Sequence, residues 1–313
     1  TVQNALNAPE SKDPFKTAGD IFANLPTERG RVFTYYDLST KLPKQYDRSY
    51  VYIPVENKNE DMLLASGIVT DDTGKSYSGI ISLKNGASAD DIIYASSSVK
   101  VVFQEPQLSS QGDSYLFVIG PEASKKTSLP EAWNIYLGSI TNGHPTLIAK
   151  GTHARFSPDG KSVIYLANDG LHLYDRDTHV SKLVLPLTNQ SKTATADMMI
   201  AISRDGTRLA FSDPEASKLH MLQIASWNVS DFETTDIVES NVIAFWPVFS
   251  PDGSQIAFEQ ADWNVNQDNL MEATHARLSV IDLTTSIPSL KQIADWNMFD
   301  ASKITVSDWV TTD

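Results

Sequence analysis

Apolar and polar residues alternate in short runs along this 313-residue chain, and tight-turn residues punctuate the runs. The stretch "ARFSPDGKSVIY" (154–165) shows the unit. Ser157 suits the first position of a type I turn, Pro158 presets φ at the second, and Gly160 can take φ > 0. Two alternating runs flank that turn, which predicts a hairpin. The pattern recurs in "AISRDGTRLAF" (201–211) and "VFSPDGSQIAF" (248–258), with a degraded copy in "QLSSQGDSYLFV" (107–118). The turn glycines Gly112, Gly160, Gly206 and Gly253 stand 48, 46 and 47 residues apart. Self-similarity at that period belongs to propellers or solenoids, and a unit of strand signals without a long helix favours a propeller.

Four further runs, 49–57, 61–72, 75–85 and 90–98, predict a first blade in which "ENKNED" replaces the turn motif. Blades then follow at about 99–151, 152–197, 198–244 and 245–299. The tail "SKITVSDWV" (302–310) reads as an orphan first strand. Pairing it with the "RVFTYYDL" region completes a sixth blade, so the expectation is an all-β, single six-bladed propeller of four-stranded blades closed by N- and C-terminal strands. Residues 1–26, with a short helix near "TAGDIFANL", are expected to be an arm or linker, and 27–313 the propeller.

The repeats "FSPDGKSVIY", "ISRDGTRLAF" and "FSPDGSQIAF" resemble those of TolB-type β-propellers. They are also similar to repeats in the propeller domains of prolyl oligopeptidases and dipeptidyl peptidases. The resemblance covers roughly residues 99–290 and implies the fold and a binding or scaffolding role. The α/β domain that precedes the propeller in TolB, and the hydrolase domain of the peptidases, have no counterpart in this sequence.

Composition narrows the function. A net charge of −14 and a pI of about 4.8 repel phosphate backbones, which argues against nucleic acid. With no cysteine, thiol nucleophiles and Cys-ligated metals are excluded. The longest apolar stretch, "VIAFWPVF" (242–249), is too short to span a bilayer. The chain begins at Thr1, as a trimmed or mature form would. No G-x-S-x-G, H-E-x-x-H or Gly-rich phosphate loop occurs.

Two sets of residues remain as candidates. Glu105, His153 and Arg155 lie on first strands, which would line the central channel and could serve a channel hydrolase or lyase. The second set sits in the connections between second and third strands, long at 119–132 and 259–275 and short at 167–170. Surface loops on a rigid scaffold carry function. These place Glu122, Lys125, Lys126, Asp262, Trp263 and Glu272 on one rim, with Glu215 and Lys218 from the second copy of "PEASK". A Trp among mixed charges has the composition of a protein-binding hot spot. Asp262, Asn264, Asn266 and Asp268 also alternate as calcium ligands do at positions 1, 3, 5 and 7, yet Gln267 stands where a calcium loop needs Gly and Glu272 is one residue early. The other tryptophans that precede Asn, at 133, 227 and 296, are expected to pack between blades, and His172 and His220 to fill equivalent strand sites.

The leading expectation is therefore a non-catalytic, extracytoplasmic propeller (periplasmic, cell-surface or secreted) that binds a protein partner or neighbouring subunit and needs no cofactor. The alternatives are a channel enzyme, or the gating domain of a peptidase whose catalytic part lies outside this chain.

Overall fold

The computed structural model describes residues 20–27, 30–37, 42–45, 52–56, 62–70, 73–84, 91–96, 101–120, 130–141, 144–186, 199–213, 218–223, 233–239, 243–265, 271–284, 289–297 and 305–310. Except for one short 3-10 turn, Pro130–Ala132, the regular structure there is all strand.

Each repeat folds as a four-stranded antiparallel meander. The first comprises β4 (Tyr52–Glu56), β5 (Met62–Thr70), β6 (Ser76–Lys84) and β7 (Asp91–Ala95), following β1 (Asp20–Thr27), β2 (Gly30–Asp37) and β3 (Leu42–Gln45). The second is β8 (Val102–Leu108), β9 (Ser114–Gly120), β10 (Asn134–Ser139) and β11 (Thr146–Lys150). The third is β12 (Thr152–Phe156), β13 (Ser162–Ala167), β14 (Gly170–Asp175) and β15 (Val180–Pro186). Then come β16 (Ile200–Ile202), β17 (Arg208–Asp213), β18 (Lys218–Gln223) and β19 (Glu233–Glu239), and after them β20 (Ile243–Phe249), β21 (Gln255–Val265), β22 (Met271–Asp282) and β23 (Ser289–Asn297). The sixth sheet joins the two ends of the chain, in the order β24 (Thr305–Val310), β1, β2, β3.

The expected arm is corrected here. Residues 20–26 are neither arm nor helix; they are β1, inserted between the tail and the "RVFTYYDL" strand. The apolar spacing of Ile21, Phe22 and Leu25 suits a helix, but two strand edges offer a backbone ladder that a short helix near Pro26 cannot match. Residues 1–19 lie outside the described residues.

The strands group into two compact units, one from Tyr50–Ile200 and one from Ala201–Leu222, Thr234–Asp313 and β1–β3. In the first, Leu64, Ile80, Phe103, Tyr115 and Phe117 pack into one core, and Leu116, Val118, Ile135, Ala154, Val163 and Tyr165 into another. In the second, Phe249, Ile256, Phe258 and Ile281 are buried together. Alternation along β9 divides its residues between the first two cores, with Tyr115 and Phe117 on one face of the sheet and Leu116 and Val118 on the other.

Candidate functional site

The repeat turn is a polar clamp. Ser157 Oγ donates to Asp159 Oδ1 at 2.6 Å and accepts the Ser162 N–H at 2.9 Å. Asp159 also accepts the Lys161 N–H, while the Gly160 N–H closes the turn on Ser157 O. Ser203 and Asp205, and Ser250 and Asp252, repeat this at 2.6 and 2.7 Å. The degraded copy rebuilds it: Gln111 fills the acid's place, and Ser109 Oγ instead reaches Asp113 at 2.7 Å. The Ser hydrogen bond leads in holding Asp205 and Asp113 below the usual carboxylate range. For Asp159 and Asp252, burial pushes upward, but their hydrogen bonds outweigh it and the net shift is also downward. Arg176 locks neighbouring sheets at these turns, donating to Gly160 O and to Ser114 Oγ while stacking over Phe156. The turn serines Ser157, Ser203 and Ser250 are buried, while Asp159, Asp205 and Asp252 remain exposed.

The first-strand candidates come together. Glu105 lies on β8, at the edge of one sheet, and His153 and Arg155 lie on β12, at the edge of the next. Glu105 Oε1 is 2.5 Å from His153 Nδ1, and Arg155 Nη1 donates to Oε2 at 2.7 Å. Burial alone would raise the Glu105 pKa. The charges of His153 and Arg155 and their hydrogen bonds overcome it and hold the carboxyl at about 2. Its side chain is 3% exposed and that of His153 2%, against 20% for Arg155. With its amide oxygen turned toward Arg155, Gln107 accepts from Nε and Nη1 at 3.0 Å.

A backbone irregularity makes that meeting possible. Glu105 and His153 have φ of 53° and 51°, in the left-handed region that non-glycine residues seldom enter. Both sit where the ladder to the second strand shifts register, between Gln104 and Gln107 and between Thr152 and Arg155. In the other unit Trp246, φ 51°, occupies the equivalent bulge. Simple alternation does not reveal these positions. The usable signal is Pro54, Pro106 and Pro247 inside otherwise regular strands, because proline in a strand marks an edge or a bulge.

The long connection at 259–275 departs from expectation. It is largely a hairpin, with β21 running to Val265 and β22 starting at Met271, opposite it in register. These strands have 11 and 12 residues, against six each for β13 and β14. Pairing to β20 ends at Ala261 and pairing to β23 ends at His275. Beyond those points 262–265 and 271–274 are tied, among the described strands, only to each other. Asp262, Trp263 and Asn264 are thus strand residues, and Glu272 pairs opposite Asn264. A calcium loop must wrap around its ion from position 1, and an extended ladder does not wrap. Asn266 and Asp268 lie outside the described residues, as do Glu122, Lys125, Lys126 and Glu215; Lys218 opens β18. Among the described residues no group of three or more His, Asp or Glu could hold a metal ion.

The runs expected at 61–72 and 75–85 form a second extended hairpin. β5 and β6 pair through Thr70–Ser76, past the ends of the ladders to β4 at Ser66 and to β7 at Gly79. Its tip exposes Thr73, Gly74 and Lys75, with Gly74 at φ 81° and the Lys75 ammonium 4.9 Å from the Tyr77 ring centroid. Trp133 meets the packing expectation: it packs against the cluster that joins Leu116, Val118 and Ile135 to Ala154, Val163 and Tyr165 of the next sheet. His172 fills a strand site, stacked on Tyr165.

No family model matches the chain, and no curated protein matches it. Solved structures do. TolB from Acinetobacter baumannii is 16% identical with a TM-score of 0.61, over 94% of this chain and 67% of that one. A TolB protein from Agrobacterium tumefaciens is 14% identical at 0.57, over 95% and 100%. The periplasmic gluconolactonase of Pseudomonas aeruginosa is 11% identical at 0.53, over 94% and 99%. The fold is a TolB-like β-propeller, and at these identities the likeness is one of fold.

Proposed function

We propose that this chain is a non-catalytic binding or scaffolding propeller that works outside the cytoplasm and meets a protein partner through its second-to-third-strand connections, the 262–274 hairpin foremost. One observation carries the reading: β21 and β22 continue four residues beyond the last pair that anchors them to their sheet. A two-stranded ribbon is marginal in water, and its edges carry unpaired backbone groups. A contact that orders those groups gives the extension a purpose, with Trp263 as aromatic anchor and Asp262 and Glu272 as polar surround. Glu122, Lys125, Lys126, Glu215 and Lys218 belong to equivalent connections and would extend the contact. The likeness to TolB supports a binding role, and the neighbour named as periplasmic supports the location. The net charge of −14 disfavours nucleic acid, and among the described residues no helix is long and apolar enough to cross a membrane.

The test replaces 262–274 by a four-residue turn like 167–170 and compares what each immobilised protein retains from an extracytoplasmic extract. The shortened protein should keep its melting temperature and lose the retained partner. Retention that survives the exchange, but is lost when the Asp159 and Asp252 turns are altered in a folded protein, would move the contact to the other rim.

The Glu105 cluster favours a second reading, a channel hydrolase or lyase. A carboxylate held ionised between Arg155 and His153 and closed from solvent is a poor proton shuttle. Glu105→Gln tests it: loss of a lactone-cleaving activity with the fold intact would support the enzyme.

A further inference from the structure

The chain contains four Asp–Gly peptides, at 159–160, 169–170, 205–206 and 252–253. Asp–Gly is the aspartyl sequence most prone to spontaneous isomerisation, because glycine leaves its backbone nitrogen unshielded. The nitrogen attacks the Cγ of the protonated Asp carboxyl, an N–Cγ bond forms, the Cγ–OH bond breaks, and the amide proton leaves with that hydroxyl as water. Water then reopens the succinimide at either carbonyl, returning Asp or leaving isoaspartate, whose backbone is one methylene longer.

Three of the four carboxylates are anchored alike. Asp159, Asp205 and Asp252 each accept a Ser hydroxyl, at 2.6, 2.6 and 2.7 Å, and the N–H two residues on, at 3.0 Å each. The attacking nitrogens of Gly160, Gly206 and Gly253 are themselves committed to the turn Ser carbonyls at 2.8 Å. Their hydrogen bonds also keep these acids ionised, the less reactive form for losing water.

Asp169 differs. It sits in the two-residue link between β13 and β14, 57% exposed at its side chain, and no serine holds it. Its contact is His172, whose Nε2 lies 2.7 Å from Oδ1. This one side-chain contact stands where the other three have a serine hydroxyl and a backbone N–H. His172 is steadied by stacking on Tyr165.

We infer that Asp169–Gly170 is the Asp–Gly site at which this protein isomerises, while the repeat-turn serines protect the other three. The inference stands apart from the proposed binding role. Each anchoring hydrogen bond is worth about 1 kcal/mol net, so two of them suppress reaction by about ten-fold or more.

The test ages the native protein at neutral pH, digests it, and measures isoaspartate at all four peptides by fragmentation mass spectrometry, with urea-unfolded chain as control. Asn85–Gly86 and Asn142–Gly143 lie outside the described residues and are scored separately by the mass gain of deamidation. Unfolded, the four peptides should react within a few-fold of one another; native, position 169 should lead the others by about ten-fold. Ser157→Ala should raise position 159 alone. Equal native rates at the four sites, or a lead at 159, 205 or 252, overturns the inference.

Discussion

Glu105 stands between a histidine and an arginine of the neighbouring sheet, and removing its charge leaves Arg155 without its counter-ion. Breaking a buried pair from one side typically costs about 3–5 kcal/mol, so Glu105→Gln should lower stability by that order in denaturant titration. Its folded pKa of about 2 lies below the ordinary 4.5. The stabilisation is therefore complete above about 4.5 and is lost as pH falls toward 2. The Gln variant should show a shallower loss of stability across that acid window. The turn acids have the same sign: Asp113, Asp159, Asp205 and Asp252 are all lowered, so acid also weakens the turns. Ser203→Ala removes the hydroxyl that bridges Asp205 and the Arg208 N–H and should cost about 1 kcal/mol in the same titration. The turn residues were legible in the sequence because Ser, Pro, Asp and Gly each have a local backbone reason to be there. Glu105, His153 and Arg155 were legible as first-strand residues, but their convergence was not. It depends on left-handed backbone at two non-glycine positions, which alternation does not encode.

Elements were legible where alternation and turn residues coincide, as in β12 to β15. They were misread where a segment's own pattern was overruled by distant partners. β1 is the clear case: its helical spacing yields to ladders with β2 and β24. The polar run after Glu259 is the other, since its charged and amide residues suggest a loop while the backbone continues as a ladder through Val265. Propensity scales undervalue Asp and Asn in strands, but an antiparallel partner in register compensates. A hairpin there, rather than an ion-wrapping loop, leads to a simple expectation. Excess chelator should leave the melting temperature unchanged, and a drop would require a metal site.

At the scale of the whole molecule the 46- to 48-residue period carried the fold, and the ends were its weak point. The sixth sheet takes one strand from the C terminus and three from the N terminus, so each end completes the other. Ending the chain at Lys303 removes β24 and leaves β1 as an open edge. Stability should fall by a large share of the about 5–15 kcal/mol typical of a domain, with aggregation on heating; a truncated protein that melts like the parent would mean the strand is dispensable. The proposed contact lies on the second-to-third-strand connections, and the Ser–Asp clamps of the repeat turns lie outside it. The most direct measurement places a photo-crosslinking residue at 263 in one protein, and at 159 or 252 in others, and exposes each to the extracytoplasmic proteins it retains. A covalent partner band is expected from 263 and none from the turns. A band from 159 or 252 with none from 263 would contradict it.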